Sequence, residues 1–325
     1  MAQLRRSKPK QLSSDCLPYD VVFEILTRLP VKSLLQLRFQ IPISHARIVG
    51  LCNGMYLCHD DTYTHRIYLW NQSIRKFKSL AIAHLTLTHA ALGLAYQNND
   101  FKILRIVCFR GPKQPPPPAE AAVYTLSTDS WRRVVISLVS EPDIGPIDYI
   151  VSSSPCLFFN GALHSIAQSG SHKFILSFDV NDETFRKIML PQNYLDGFVW
   201  LSFERLAVFK GLLALFVFCK TLYGNMEICH IWVMREYGVV ASWTKKSIPV
   251  HLVRGFFCCT DSGELLIDSF DRGVISYDPE SQNENNLGVQ KSPSWLTYTA
   301  DLMESLVLLD QHIVHFLEDG NVMVQ

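Results

Sequence analysis

Residues 67–77, IYLWNQSIRKF, set an aromatic strand against a polar turn and an answering strand, with Trp70 seven residues before Phe77. The same arrangement returns down the chain. AVYTLSTDSW (122–131) places Tyr124 seven before Trp131, and LSFDVNDETF (176–185) places Phe178 seven before Phe185. Tyr124 lies 54 residues after Trp70, Phe178 54 after Tyr124, and Trp232 of HIWVMREYG 54 after Phe178. Trp243 is the second aromatic of that fourth unit, after a longer loop, and Tyr277 in ISYDPES anchors a fifth. Each unit reads as a hairpin that brings its two aromatics together. Asn53-Gly54 and Asn160-Gly161 add two further hairpin turns, 107 residues apart, close to two periods.

A period near fifty that holds several strands is the signature of kelch-type propeller blades. The 277 residues from Val49 to Gln325 make room for about five such units. A lone four-stranded unit cannot bury both faces, so the units must stack. Beyond Gln40 the expectation is therefore mainly β structure, with the recurring aromatics Trp70, Trp131, Phe178, Trp232 and Trp243 as packing residues. GPKQPPPP (111–118) predicts a stiff extended loop, and NENN (283–286) a solvated one.

Thirty basic and thirty acidic residues cancel across the 325, which argues against a nucleic-acid binder. Nine cysteines without a CxxC pair fit reduced thiols in the cytoplasm or nucleus. The start, MAQLRRSKPK, lacks the apolar core of a signal peptide and reads as a basic tail. The longest apolar run, Gly211–Cys219, suits a buried strand and is too short for a membrane span.

Ahead of the repeats, LPYDVVFEILTRLPVKSLLQLR (17–38) has another periodicity. Leu17, Val21, Ile25 and Leu29 recur every fourth residue, with Val22 and Leu26 beside them, which predicts an amphipathic helix. Pro18 suits its first turn, Pro30 stops it, and Val31, Leu34 and Leu35 begin a second. This stretch resembles the first half of an F-box, the helical module that docks a substrate receptor onto the Skp-type adaptor of a cullin–RING ubiquitin ligase. The resemblance assigns adaptor contact to Leu17, Pro18, Ile25, Leu26, Leu29, Pro30 and Leu34. It breaks off at Arg38, where FQIPISHARIVGLCNG stands in place of a third helix. The departure predicts weakened adaptor binding.

Downstream, VGLCNGMYLC, LWNQSIRKF, LGLAYQNNDFKILRI, VYTLSTDSWRR, FFNGALHSI, SFDVNDETFRKI and IWVMREYGVVASWTKK are similar, in order, to the signatures of the plant F-box-associated, kelch-related domain. Gln72 and Ser165 depart from it, standing where a proline and a tryptophan are usual. The organisation expected is a tail (1–14), partial F-box helices (15–38), a linker (39–48) and a kelch-like β domain (49–325).

Enzymatic constellations are weak. His312 and His315 are three apart, which on a strand sends them to opposite faces. Asp60-Asp61, Asp179 with Asp182 and Glu183, and Asp261 with Glu264 resemble carboxylate pairs but fall in turns, where such side chains bond the local backbone. His164 reads as a structural strand residue. No nucleotide-binding glycine motif or nucleophile elbow is present. The resemblance implies a non-catalytic substrate receptor of an SCF-type ligase, without cofactor or metal, holding an unidentified target protein through the β domain. The alternatives are a binding module uncoupled from the adaptor, or a carbohydrate-binding or glycosidase propeller.

Overall fold

A computed structural model describes residues 46–60, 66–71, 73–74, 76–80, 89–108, 118–138, 147–151, 155–195, 200–220, 226–289, 315–316 and 322–323. The chain separates into two units, Met1–Gln40 and Ile41–Gln325, and every described residue belongs to the second.

Five antiparallel sheets follow one another along the chain. Blade 1 is β1 (Ala46–Cys52), β2 (Met55–Asp60), β3 (Ile67–Asn71) and β4 (Lys76–Leu80). Blade 2 is β5 (His89–Gln97), β6 (Asp100–Cys108), β7 (Glu120–Thr125) and β8 (Ser130–Val134). Blade 3 adds a short β9 (Tyr149–Ile150) to β10 (Leu157–Phe159), β11 (Ala162–Ser169), β12 (His172–Asp179) and β13 (Phe185–Met189). Blade 4 is β14 (Trp200–Phe209), β15 (Leu212–Lys220), β16 (Met226–Met234) and β17 (Trp243–His251). Blade 5 is β18 (Val253–Cys259), β19 (Leu265–Ser269), β20 (Gly273–Tyr277) and β21 (Glu284–Val289). A two-stranded pair, β22 (His315–Phe316) and β23 (Val322–Met323), comes last. The one helical turn among the described residues is the 3-10 turn Val240–Ser242.

Strand order within each blade follows the chain, and the first strand of each blade touches an inner strand of the next. This is a five-bladed β-propeller. Its hydrophobic core lies in layers between blades. Leu57 and Leu69 of blade 1 pack with Leu94, Ile103 and Tyr124 of blade 2. Leu104 and Val123 then meet Leu163 and Phe178 of blade 3. Ile166, Ile175 and Ile188 meet Leu215 and Val217 of blade 4. Phe216 and Ile231 finally meet Phe256 and Tyr277 of blade 5. At Gly93 on β5 the layers are so close that an added Cβ would stand 2.5 Å from Cys156 Cβ.

The turns explain why these strands pair. Asn53-Gly54 takes φ values of 47° and 73°, and Asn160-Gly161 takes 48° and 74°. Both match the left-handed pairs that a two-residue hairpin needs. Asn98-Asn99 and Lys210-Gly211 occupy the equivalent place in blades 2 and 4, at 53° and 62° and at 50° and 76°. Lys210-Gly211 carries a weaker turn signal than Asn-Gly, yet closes the same bend.

The aromatic period is also structural. Tyr124 faces Trp131 with ring centroids 5.4 Å apart, and Phe178 faces Phe185 at 4.9 Å. Trp70 pairs with Phe77 in register. Trp70, Phe178 and Trp243 are buried, whereas Trp131 and Trp232 are half-buried. Blade 4 corrects one expectation: Trp232 lies opposite Lys245, and Trp243 lies opposite Met234. Its eight-residue connection 235–242 moves the second aromatic two positions along the strand. The reading of 283–286 as a loop is also corrected, because Glu284, Asn285 and Asn286 pair with Tyr277, Ser276 and Ile275. Pairing to an edge position overrides the low strand preference of asparagine there. Strand β1 starts at Ala46, inside the stretch read as linker.

Candidate interaction surface

In a four-stranded antiparallel meander the first and third connections emerge at one end of the blade. Side chains from these turns bridge the blades. Asn98 Nδ2 donates to Asn181 Oδ1 at 2.5 Å, between blades 2 and 3. Lys210 Nζ donates to Glu280 Oε1 at 3.3 Å, between blades 4 and 5.

Within this set one arrangement repeats with the 54-residue period. Lys78 on the outer strand of blade 1 reaches Asp129 in the third turn of blade 2, Nζ to Oδ2 2.8 Å. Arg132, 54 residues after Lys78, pairs with Glu183, 54 residues after Asp129, in the third turn of blade 3. Off that spacing, Lys246 on blade 4 makes the same kind of contact to Glu280 on blade 5 at 2.6 Å. Behind each cation the same cross-strand row is apolar: Leu57–Leu69–Lys78, Leu104–Val123–Arg132 and Phe216–Ile231–Lys246. Each outer cation thus closes an apolar layer with an ion pair to the following blade. Glu183 gains a second cation, Lys102, whose Nζ donates to Oε1 at 2.8 Å and to the Val180 carbonyl at 2.8 Å. It is an inter-blade clamp as well as a turn residue. The other acids of these turns behave locally, as their short side chains predict: Asp179 Oδ1 accepts the N–H groups of Asn181 and Asp182 at 2.9 and 3.0 Å.

The boundary between blades 3 and 4 departs from this pattern. Its row reads His164–Ser177–Arg186, and the position 54 after Glu183 is Tyr237. His164 is fully buried. Its Nδ1 donates to the Leu157 carbonyl at 3.2 Å, so in the neutral ring Nε2 accepts the Tyr237 hydroxyl at 2.7 Å. Burial holds the imidazole at a pKa of about 4, consistent with that neutral state. Ser177 Oγ lies 3.4 Å from His164 Nε2 and 3.5 Å from the Tyr237 hydroxyl. Phe159 meets the Tyr237 ring edge-on at 5.9 Å. An ion pair across an apolar layer is replaced by a polar triad beneath a half-exposed tyrosine.

The connection that carries Tyr237 is ordered by its own bonds. Ser242 Oγ donates to the Val239 carbonyl at 2.6 Å, lies 2.9 Å from the Glu236 carbonyl and accepts the Glu236 N–H at 3.0 Å, and Arg235 Nε donates to Thr244 Oγ1 at 3.1 Å. Trp243 Nε1 ties the following strand to blade 3 by donating to the Met189 carbonyl at 3.1 Å. Of eight large hydrophobic residues exposed among the described residues, Tyr237, Val239 and Val240 lie on this connection.

The chain matches the family described as "F-box associated beta propeller domain" over residues 17–303. It belongs to that family. An F-box protein of Arabidopsis thaliana is 28% identical over 312 residues, covering 80% of this chain and 70% of the relative. An Arabidopsis F-box/kelch-repeat protein is 26% identical over 241 residues, covering 71% of this chain and 60% of the relative. Among solved structures, an α-L-arabinofuranosidase from Lactobacillus brevis is 10% identical, with a TM-score of 0.44, covering 77% of this chain and 95% of that one. So distant a likeness says nothing about activity.

The adaptor-contact residues Leu17, Pro18, Ile25, Leu26, Leu29, Pro30 and Leu34 lie outside the described residues, as do Asp61 and His312. His315 sits in β22, opposite Met323. Ser165, the departure from the family tryptophan, is buried with its Oγ 2.8 Å from Cys156 Sγ. Residue-type motifs did not reveal Arg186 and Tyr237. The signal that finds them is the aromatic period applied to charge: Lys78, Arg132 and Arg186 form one series, and Asp129, Glu183 and Tyr237 the other.

Proposed function

We propose that the protein is a non-catalytic substrate receptor of an SCF-type cullin–RING ubiquitin ligase. Residues 15–38 hold the Skp-type adaptor, and the propeller, residues 49–325, holds a target protein. The observation that carries this reading is one family match that begins at Leu17, the first residue of the F-box-like stretch, and continues through the propeller. Leu17, Pro18, Ile25, Leu26, Leu29, Pro30 and Leu34 are the proposed adaptor contacts. Ubiquitin transfer belongs to the partner subunits, in the cytoplasm or nucleus. The alternative, a binding module uncoupled from the ligase, is favoured by the sequence after Arg38, which departs from the F-box pattern.

Co-purification of the whole chain with a Skp-type adaptor tests the proposal, with calorimetry comparing this chain, Leu26→Asp and a version carrying a full F-box. Binding by this chain that is weaker than the full-F-box version and lost in Leu26→Asp supports the receptor reading. No binding by this chain, with tight binding by the full-F-box version, supports the uncoupled module.

A further inference from the structure

Arg186 occupies the place in blade 3 that Arg132 occupies in blade 2. It lies in the cross-strand row whose inner members, Ser177 and His164, face Tyr237 of blade 4. Arg132 finds Glu183 across its boundary, whereas the matching position across from Arg186 is Tyr237, whose hydroxyl is turned inward to His164. Arg186 is exposed and forms no ion pair among the described residues. Tyr237, which meets Ser177 of that row, and Val239 and Val240 on the same connection are each 38–39% exposed. Arg235 and Lys245 add exposed cations, against the single carboxylate that the 235–242 connection itself carries, Glu236.

Exposed apolar side chains grouped on one connection gain free energy when a partner removes them from water. Nothing in the local bonding requires Val239 and Val240 to be exposed. Val239 closes the connection through its backbone, bonded to Glu236 and Ser242, and the bonds there use neither valine side chain. A guanidinium beside such a surface selects a planar carboxylate, which it can bind through two parallel N–H groups.

We infer that the blade 3–blade 4 boundary docks an acidic segment of a partner protein, whose Asp or Glu carboxylate pairs with Arg186 while a neighbouring apolar side chain covers Tyr237, Val239 and Val240. The partner completes the clamp that Glu183 completes for Arg132. This inference rests on the reading of the propeller as the target-binding domain and names the chemistry of the target. The adaptor experiment probes residues 15–38, so either proposal can fail alone.

The test uses the whole chain and three fluorescent nonapeptide pools, read by anisotropy. One pool has a central Asp or Glu near a Leu or Phe, the second has Asn or Gln in its place, and the third has phosphoserine. The expected result is binding of the carboxylate pool at least about tenfold tighter than the carboxamide pool, weakening with salt. Arg186→Gln should bring the carboxylate pool to the carboxamide level, and Val240→Asp should abolish binding of both. Arg133→Gln, an exposed arginine on blade 2, should change nothing. Arg186→Gln should also leave the thermal midpoint unmoved, unlike Arg132→Gln. No binding of the carboxylate pool, or equal binding of the carboxamide pool, would overturn the inference. So would tighter binding of the phosphoserine pool, or a midpoint loss in Arg186→Gln matching that in Arg132→Gln.

Discussion

Replacing Glu183 by Gln asks whether the inter-blade clamps hold the propeller together. The substitution keeps the side-chain shape and one acceptor oxygen, but removes the charge that Lys102 and Arg132 share. Lys102 and Glu183 retain 20% and 14% side-chain exposure, so water screens the pair only partly. Exposed pairs contribute about 0.2–1 kcal/mol, and breaking one side of a buried pair costs about 3–5 kcal/mol. This pair falls between, and about 2–3 kcal/mol is expected for Glu183→Gln. Burial, and next the Arg132 guanidinium, already press the Lys102 pKa down, so the variant leaves two cations facing each other without their counter-charge. At about 2 °C per kcal/mol for a domain of this size, Tm should fall by about 4–6 °C in scanning calorimetry. A cycle with Lys102→Met should recover part of the loss, because both partners are then neutral. Glu280→Gln, whose side chain is 60% exposed between Lys210 and Lys246, should leave Tm nearly unmoved. A Glu183→Gln midpoint within about 1 °C of the parent would refute the clamp as a source of stability.

Gly93→Ala should destabilise the domain by about 1–3 kcal/mol in urea titration, because the new Cβ collides with Cys156 Cβ rather than with a movable side-chain tip. His164 has a folded pKa of about 4, below the roughly 6.5 of an unfolded histidine, so the unfolded state binds more protons between these values. Its contribution is fully present above about pH 6.5 and is lost as pH falls toward 4. His164→Asn keeps an acceptor for Tyr237 but cannot titrate, so its urea-unfolding stability should fall less steeply than the parent's over that window. Parallel curves for the two would contradict the buried, neutral imidazole.

Much of the propeller was legible because its determinants are local. Asn53-Gly54 and Asn160-Gly161 name their own turns, and Trp70, Tyr124 and Phe178 mark one strand in three successive blades. The residue after two of these markers then explains the tight turns: Asn71 and Asp179 accept backbone N–H groups from the bend that follows. In blade 4 that residue is Val233, which has no acceptor. The bend lengthens to 235–242, the register moves, and Trp243 no longer meets Trp232. The period counts aromatics and is blind to this change. The clamps escaped for another reason. Glu183 reads as a turn acid from its neighbours alone, Asp129 carries no motif, and their cations, Arg132 and Lys78, each lie 51 residues away. Only the angle between blades brings them together.

The boundary between blades 3 and 4 shows how tightly such a departure is constrained. His164 and Ser177 replace Leu104 and Val123 of the preceding row, which places polar groups inside an otherwise apolar layer. An imidazole nitrogen buried there without a partner would cost about 1–3 kcal/mol. Tyr237 removes that cost by supplying its hydroxyl, from the longer bend that follows Val233, at 2.7 Å from Nε2. The triad therefore accounts for the histidine, the serine, the tyrosine and the length of the connection. It accounts for neither the exposure of Val239 and Val240 nor the loss of an acid opposite Arg186. Both features belong to the boundary where the inter-blade ion pair gives way to the His164–Tyr237 bond, which is why they point outward to a partner.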